Sequence, residues 1–356
     1  MNVLAGLAAA IAWAALATAP AATVAPRSLT VGTLTAAPGE AVSGYLEVAA
    51  GVDTGTRIPV TVVHGLKPGP VLALVAGTHG YEYTSIVASP RILQSLDPKR
   101  MSGAVILVHM ANPPAFYERR TYYNADGKNL NRVYPGKPQG SQTERIAHAI
   151  TREVIEKATH LIDMHCGDGN ESLRPYSYWS VSPSAAIDEQ AREMNLAFGL
   201  DHIVVDRERP KDPAQSSYTA NTATLRGKPA ITVESGGMGM TDEDSVKAQV
   251  DGALSVIAHL KIQDGPSQRV TNPVWIEPAE VLRAPATGVW RPLLDKRESV
   301  AKGALIGRIH DPFGKMLAEI RAPFAGELLY VVGTPPVSEG EPLGFVGRLL
   351  ETQPKR

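Results

Sequence analysis

A chain of 356 residues, 44% of them hydrophobic, has room for two domains and a buried core. Its 35 basic side chains stand against 36 acidic ones with no long basic run, which excludes the electrostatic footprint of a nucleic-acid binder and favours a small neutral or anionic ligand. A single cysteine rules out an intramolecular disulfide and the thiolate sites of zinc fingers, so a metal ion must be held here by His, Asp or Glu.

Residues 1–26 carry no charged side chain, and Val3 to Ala19 form an alanine- and leucine-rich stretch followed by small residues at Ala19-Pro20-Ala21 and Thr23-Val24-Ala25. The pattern is that of a cleaved signal peptide over 1–25, giving an exported protein, periplasmic or secreted, without stable membrane association. An uncleaved N-terminal membrane anchor is the alternative, but alanine, proline and threonine make residues 17–26 a poor membrane segment.

Residues 28–64 alternate short β-rich runs with Pro and Gly turns, predicting an antiparallel opening to a sheet. From residue 71 apolar runs alternate with helical stretches: "VLALVAG", a helix near 82–96, "AVILVHM", a helix near 141–157, "HLIDMH", "HIVVD", "AITVE" and a helix near 242–260. Continuous apolar runs separated by helices predict an α/β fold, a mixed and centrally parallel sheet covered on both faces. Near residue 265 "QDGPSQ" marks a boundary between a catalytic domain at 28–264 and a C-terminal domain at 265–356. Within the latter, "RAPATG" at 283–288 returns as "RAPFAG" at 321–326, and "VAKGALIG" at 300–307 returns as "VSEGEPLG" at 337–344. Such a repeat predicts a small all-β domain built from two intertwined halves, flanking or shaping the mouth of the site.

Ligands in sheets of this kind bind beyond the carboxyl ends of the strands. His79 and Glu82 follow the first apolar run, His165 ends "LIDMH" and Glu234 ends "AITVE", so all four reach that edge. Two histidines and one carboxylate hold zinc with a position left open for water, whose pKa the ion lowers. Glu234 then serves as the base that takes the proton from water and passes it to the leaving amine.

The polar segment at 112–136 is long and has no amphipathic period, a mark of a functional loop. In it Arg132, with Asn131, is suited to clamp a substrate carboxylate. Of the pair Arg119 and Arg120, one is expected to polarise the scissile carbonyl; that role is assigned to Arg120, and Arg119 to substrate binding. Cys166, beside a ligand, is read as packing rather than as a nucleophile. Asp168 and Glu171 are read either as loop residues or as partners of a histidine or a cationic substrate.

"GTHGYE", "DGKNLNRVYPG", "LIDMHCGDG" and "ITVESGG", in this order and spacing, resemble the succinylglutamate desuccinylase and aspartoacylase family, a branch of the zinc carboxypeptidase superfamily. The resemblance runs from about residue 55 to 262, and the tail is similar to that family's C-terminal β domain and to biotinyl and lipoyl carrier folds. No lysine occupies a carrier-type hairpin, so no attached prosthetic group is inferred. The resemblance implies one zinc ion per chain at His79, Glu82 and His165, Glu234 as general base and acid, and Asn131 and Arg132 against a substrate carboxylate. It also implies hydrolysis of the amide joining an acyl group to an amino acid. Two other functions fit the same residues: an exported zinc carboxypeptidase or amidase trimming short peptides, including cell-wall peptides, and a metal-dependent binding protein without turnover. A base at Glu234 counts against the last.

Overall fold

The computed structural model describes residues 27–355; the segment on which the signal-peptide expectation rests lies outside the described residues. Among the described residues no helix is long and apolar enough to cross a membrane.

One large mixed sheet organises the chain. Its strands run side by side as Glu40–Val48, Thr56–His64, Ser102–Val108, Lys67–Ala76, His160–His165, Ala230–Glu234, Tyr176–Ser180, His202–Asp206, Val274–Arg283, Pro342–Leu350, Gly326–Val332 and Ser299–Val300. The four strands from Ser102–Val108 to Ala230–Glu234 are mutually parallel, and the opening strands pair antiparallel, as the sequence predicts. Tyr176–Ser180 runs antiparallel to Ala230–Glu234 and parallel to His202–Asp206.

The strand Lys67–Ala76 shows why continuous apolar runs were needed. Leu72, Leu74 and Ala76 join one core with helices Tyr83–Gln94, Ala185–Phe198 and Glu243–His259, while Ala73 and Val75 join a second core with helix Gln142–Ile150 on the opposite face. Successive side chains point to opposite faces of a sheet, so a strand covered on both sides has no polar position to spare. The expected helix at 141–157 is α-helical over Gln142–Ile150 and continues as a π-turn over Thr151–Ile155. It starts at a capping box in which the Ser141 backbone N–H donates to Glu144 Oε2 at 3.1 Å.

The change of composition near residue 265 does not interrupt the sheet. Val274–Arg283 pairs in parallel with His202–Asp206 and antiparallel with Pro342–Leu350, so one strand belongs to both parts. Beyond it the repeated segments cross over: Ser299–Val300 of the first half pairs with Gly326–Val332 of the second, and Gly288–Pro292 with Pro336–Val337. Neither half closes its own sheet. Their common core holds Trp290, Ile306, Ile309, Leu328 and Val346, and the Trp290 indole N–H donates to the Val332 carbonyl at 2.8 Å.

Candidate active site

The turn after Lys67–Ala76 must reverse direction within a few residues and still deliver two side chains to one point. Gly77 has φ +69, a left-handed conformation that costs a residue with a Cβ about 1 kcal/mol or more. Gly80 meets a different constraint, because a Cβ there would lie 2.2 Å from the Arg120 carbonyl oxygen. Glu82 then caps the helix Tyr83–Gln94, which fixes its backbone as rigidly as a strand end fixes that of His165.

His79, Glu82 and His165 meet in the buried interior of this edge, with ligand atoms all within 4.8 Å of one another. His79 Nδ1 lies 2.5 Å from Glu82 Oε1 and His165 Nδ1 lies 3.1 Å from the same oxygen. Asn129 Oδ1, a hydrogen-bond acceptor, lies 3.1 Å from His79 Nε2, and the buried Asp163 carboxylate stands 3.1 Å from His165 Nε2 as a close negative charge. A proton at His79 Nε2, facing Asn129 Oδ1, leaves the Nδ1 lone pair of His79 directed at Glu82, the tautomer a metal ion requires.

Electrostatics point the same way. Burial opposes charge on His165, but Asp163 and Glu82 outweigh it and raise its pKa well above the usual imidazole value. Burial likewise opposes a rise at His79, and Glu82 again prevails. Burial would raise Glu82 itself, yet the two histidines hold it down at about 2. Glu82 Oε2, 2.9 Å from His165 Nδ1, makes no hydrogen bond and is buried. A centre that draws positive charge, offers two imidazole nitrogens and a carboxylate, and leaves a buried oxygen unsatisfied fits a divalent cation.

Asp163 and Asn129 lie against the two histidines without being among the residues the sequence singles out. Asp163 precedes His165 by two along a strand and therefore shares its face, a signal present in "LIDMH". Asp163→Asn is expected to weaken metal binding about 10- to 100-fold without unfolding the protein, since the replacement keeps the shape and loses the charge. Titration against a competing chelator measures this; unchanged affinity would mean that Asp163 has no part in the site.

Glu234 sits beside His165 in register between the parallel strands Ala230–Glu234 and His160–His165. Among the described residues its side chain has no lysine, arginine or hydrogen-bond partner. Burial, reinforced by Glu82, Glu171 and Asp163 against the pull of His165, lifts its pKa well above the usual carboxylate range.

The triad and Glu234 share a cavity of about 570 Å³. Asn131 and Arg132 line it. Asn131 Nδ2 lies 3.3 Å from His165 Nε2, and its Oδ1 accepts from the Thr219 N–H at 2.9 Å. Arg132 Nη1 donates to the Asn131 carbonyl at 2.7 Å, and its guanidinium lies 4.6 Å from the centre of the Tyr218 ring. The functional loop is tied down from behind, where Asn124 Nδ2 donates to Asn112 Oδ1 at 3.1 Å and to Thr143 Oγ1 at 2.8 Å.

Arg119 and Arg120 are not brought to this cavity. Arg119 is exposed with φ 53, and Arg120 pairs with Glu118 at the surface at 2.5 Å, so a local ion pair holds the side chain away from the metal ligands. The arginines in the wall are Arg132, Arg209 and Arg283, the last from the C-terminal part, which also contributes Val281, Tyr330 and Pro342. Cys166 is buried at the cavity floor, where burial pushes its thiol well above the ordinary value and so against nucleophilic use. Glu171 accepts from the Tyr122 hydroxyl and, at 3.1 Å, from the Asp168 backbone N–H; neither acid hydrogen-bonds a ligand histidine.

A buried His-Glu-His centre with a free carboxylate beside it, at the carboxyl edge of a mixed sheet, defines a metal-dependent hydrolase. Residues 68–260 match the succinylglutamate desuccinylase/aspartoacylase catalytic domain, and the chain belongs to that family, as a deacylase. It is 28% identical over 302 residues to the N-alpha-acetyl-L-2,4-diaminobutyric acid deacetylase of Halomonas elongata, covering 83% of this chain and 86% of that protein. The product-bound structure of the ectoine utilization protein EutE (DoeB) from Ruegeria pomeroyi superposes with a TM-score of 0.77 at 25% identity, covering 86% of this chain and 95% of that one. A succinylglutamate desuccinylase/aspartoacylase from Rhodobacter sphaeroides shares the fold, with a TM-score of 0.76 at 24% identity over 88% of this chain and 96% of that one.

Proposed function

We propose that the protein is a zinc-dependent deacylase that removes the acyl group from a small N-acyl amino acid, with Glu234 as general base and acid. The observation that carries this reading is the position of Glu234: level with His165, open to the cavity and, among the described residues, without a lysine, arginine or hydrogen-bond partner. A zinc ion at His79, Glu82 and His165 supplies Lewis acidity toward water and the acyl carbonyl. Glu234 takes a proton from the attacking water on its carboxylate and returns it to the amine nitrogen as the carbon–nitrogen bond breaks. Arg132 holds the substrate carboxylate, which orients the amide toward the triad. Burial lifts the Glu234 carboxyl above the usual carboxylate range in the metal-free chain, and a bound cation would draw it back toward the range where it can accept a proton from water.

The relative from Halomonas elongata is named for N-alpha-acetyl-L-2,4-diaminobutyric acid, which makes that compound the first substrate to try. The test is hydrolysis by zinc-loaded protein of N-acetyl and N-succinyl amino acids beside short peptides. Turnover of the acylated amino acids, abolished by chelation and restored by zinc, is the expected result; turnover of peptides alone would make the protein a peptidase instead.

We also propose that the protein is exported, on the uncharged residues 1–26. Loss of about that many residues from protein recovered outside the cytoplasm would support export. A full-length chain confined to the cytoplasm would rule it out.

A further inference from the structure

The metal ligands, Glu234 and the Asn131-Arg132 pair leave Arg209, a partly buried cation of the cavity, without a role. Arg209 follows the strand His202–Asp206, which runs opposite to Ala230–Glu234 and so ends at the far edge of the sheet; its side chain, 14% exposed, lines the same cavity as the triad. Three contacts fix it. Its Nε donates to Asp206 Oδ2, its guanidinium carbon lies 3.8 Å from the centre of the Tyr218 ring, and the Tyr178 ring centre is 5.4 Å away.

These contacts use the Nε side of the fork and the flat of the guanidinium. Among the described residues neither terminal nitrogen of Arg209 has an acceptor, although both belong to a side chain lining the cavity. A partly buried, aromatic-stacked guanidinium with its Nη edge unpaired is a pre-organised receptor for a planar anion. Arg132 stacks on the same Tyr218 ring, so two guanidiniums share one aromatic support in one cavity.

We propose that Arg209 is a substrate-binding residue which, with Arg132 across Tyr218, holds the carboxylate of the amino-acid half of the substrate and selects against substrates lacking it. Asp206 pairs with the Nε side of one of the two guanidiniums and leaves its Nη edge for a ligand. A planar, unpaired Nη edge matches the planar two-oxygen face of a carboxylate. It also separates an N-acyl amino acid, whose carboxylate is free, from the interior of a peptide, where the same carbon is an amide. The inference rests on the deacylase reading and narrows its substrate class.

The experiment compares wild type with Arg209→Lys, which keeps a cation against Asp206 but loses the planar fork. The substrates are the best-hydrolysed N-acetyl amino acid and its C-terminal carboxamide, both assayed with zinc-loaded protein of measured metal content. The expected result is a KM for the acid raised about 10- to 100-fold in the variant, kcat changed by less than about threefold, and an unaltered KM for the carboxamide. Calorimetric binding of the free amino acid is expected to weaken by the same factor. An equal rise for acid and amide would make Arg209 a structural support only, and unchanged values for both would remove it from the site; either overturns the proposal. If wild type hydrolyses no N-acyl amino acid, the deacylase reading fails, and calorimetry then decides Arg209 by itself: equal affinities in wild type and variant overturn it.

Discussion

Glu234→Gln is expected to lower kcat about 100- to 10,000-fold while leaving zinc content and the folded state at wild-type levels. The side chains have the same shape, and Glu234 donates to and accepts from no other described residue, so the exchange strands no internal partner. What is lost is the ability to accept a proton. Glutamine cannot take one from water or return one to the amine, and both halves of the hydrolysis pass through this position. KM should change little, since Arg132 rather than Glu234 is placed to hold the ground-state substrate. A variant of unaltered metal content retaining more than about a tenth of wild-type kcat would show that another group moves the proton. The direction of the pKa shift adds a second observable. Burial holds this carboxyl protonated to higher pH than an ordinary glutamate, and a bound divalent cation draws it back down. The acidic limb of the kcat/KM profile of wild type therefore reports Glu234, and it should vanish from the residual activity of Glu234→Gln.

The residues around the metal were legible because strand ends leave a trace in sequence. "LIDMH" and "AITVE" are apolar runs closed by a residue with no reason to be buried there, and the structure sets those closing residues level in adjacent parallel strands. Asp163 lay within the same trace, since alternation alone puts it on the face of His165. The arginines were not legible in this way. The Arg120 backbone packs against the turn at Gly80, but the Arg119 side chain is exposed and Arg120 finds Glu118 two residues away. Arg209 is 77 residues beyond Arg132, and only the pairing of distant strands brings the two guanidiniums to Tyr218. A loop residue's partners are set by long-range topology, and local pattern carries little record of it.

The fold divides along the same line. The strands at 160–165, 202–206 and 230–234 occupy the residues their apolar runs mark. Helix Ala185–Phe198 escaped notice because its apolar face is diluted by small and acidic residues, and its burial comes from Phe198, Met194 and Ala191 meeting helix Glu243–His259. Strand Val274–Arg283 lies beyond "QDGPSQ", a linker in composition, and still continues the catalytic sheet. That continuity explains how the C-terminal part reaches the site at all. Val281 and Arg283 extend from a strand anchored in the catalytic sheet, and this rigid connection sets Tyr330 and Pro342 against the cavity.

Glu82→Gln is expected to abolish stable metal binding and reduce activity about 1,000-fold or more, a loss of several kcal/mol of transition-state stabilisation. The carboxylate is the one anionic ligand of the three, and both imidazole Nδ1 atoms converge on it. Its amide replacement offers a weaker donor and removes the charge that stabilises a cation between the histidines. Stability separates this from a simple loss of catalysis. Zinc at about 1,000 times its Kd should stabilise wild type by about 4 kcal/mol, because the metal binds only the folded chain. Wild-type Tm should therefore fall on chelation and recover with zinc, whereas the Tm of Glu82→Gln should respond to neither treatment. The metal-free variant should also be less sensitive to acid than metal-free wild type. In the wild-type chain Glu82 has its pKa depressed to about 2, so its stabilising contribution is present above the ordinary carboxylate pKa and is lost as pH falls toward 2. Glutamine has no such proton to take up. A Glu82→Gln protein that still bound zinc with wild-type affinity would place the metal elsewhere, and Glu234 would then have no activated water to deprotonate.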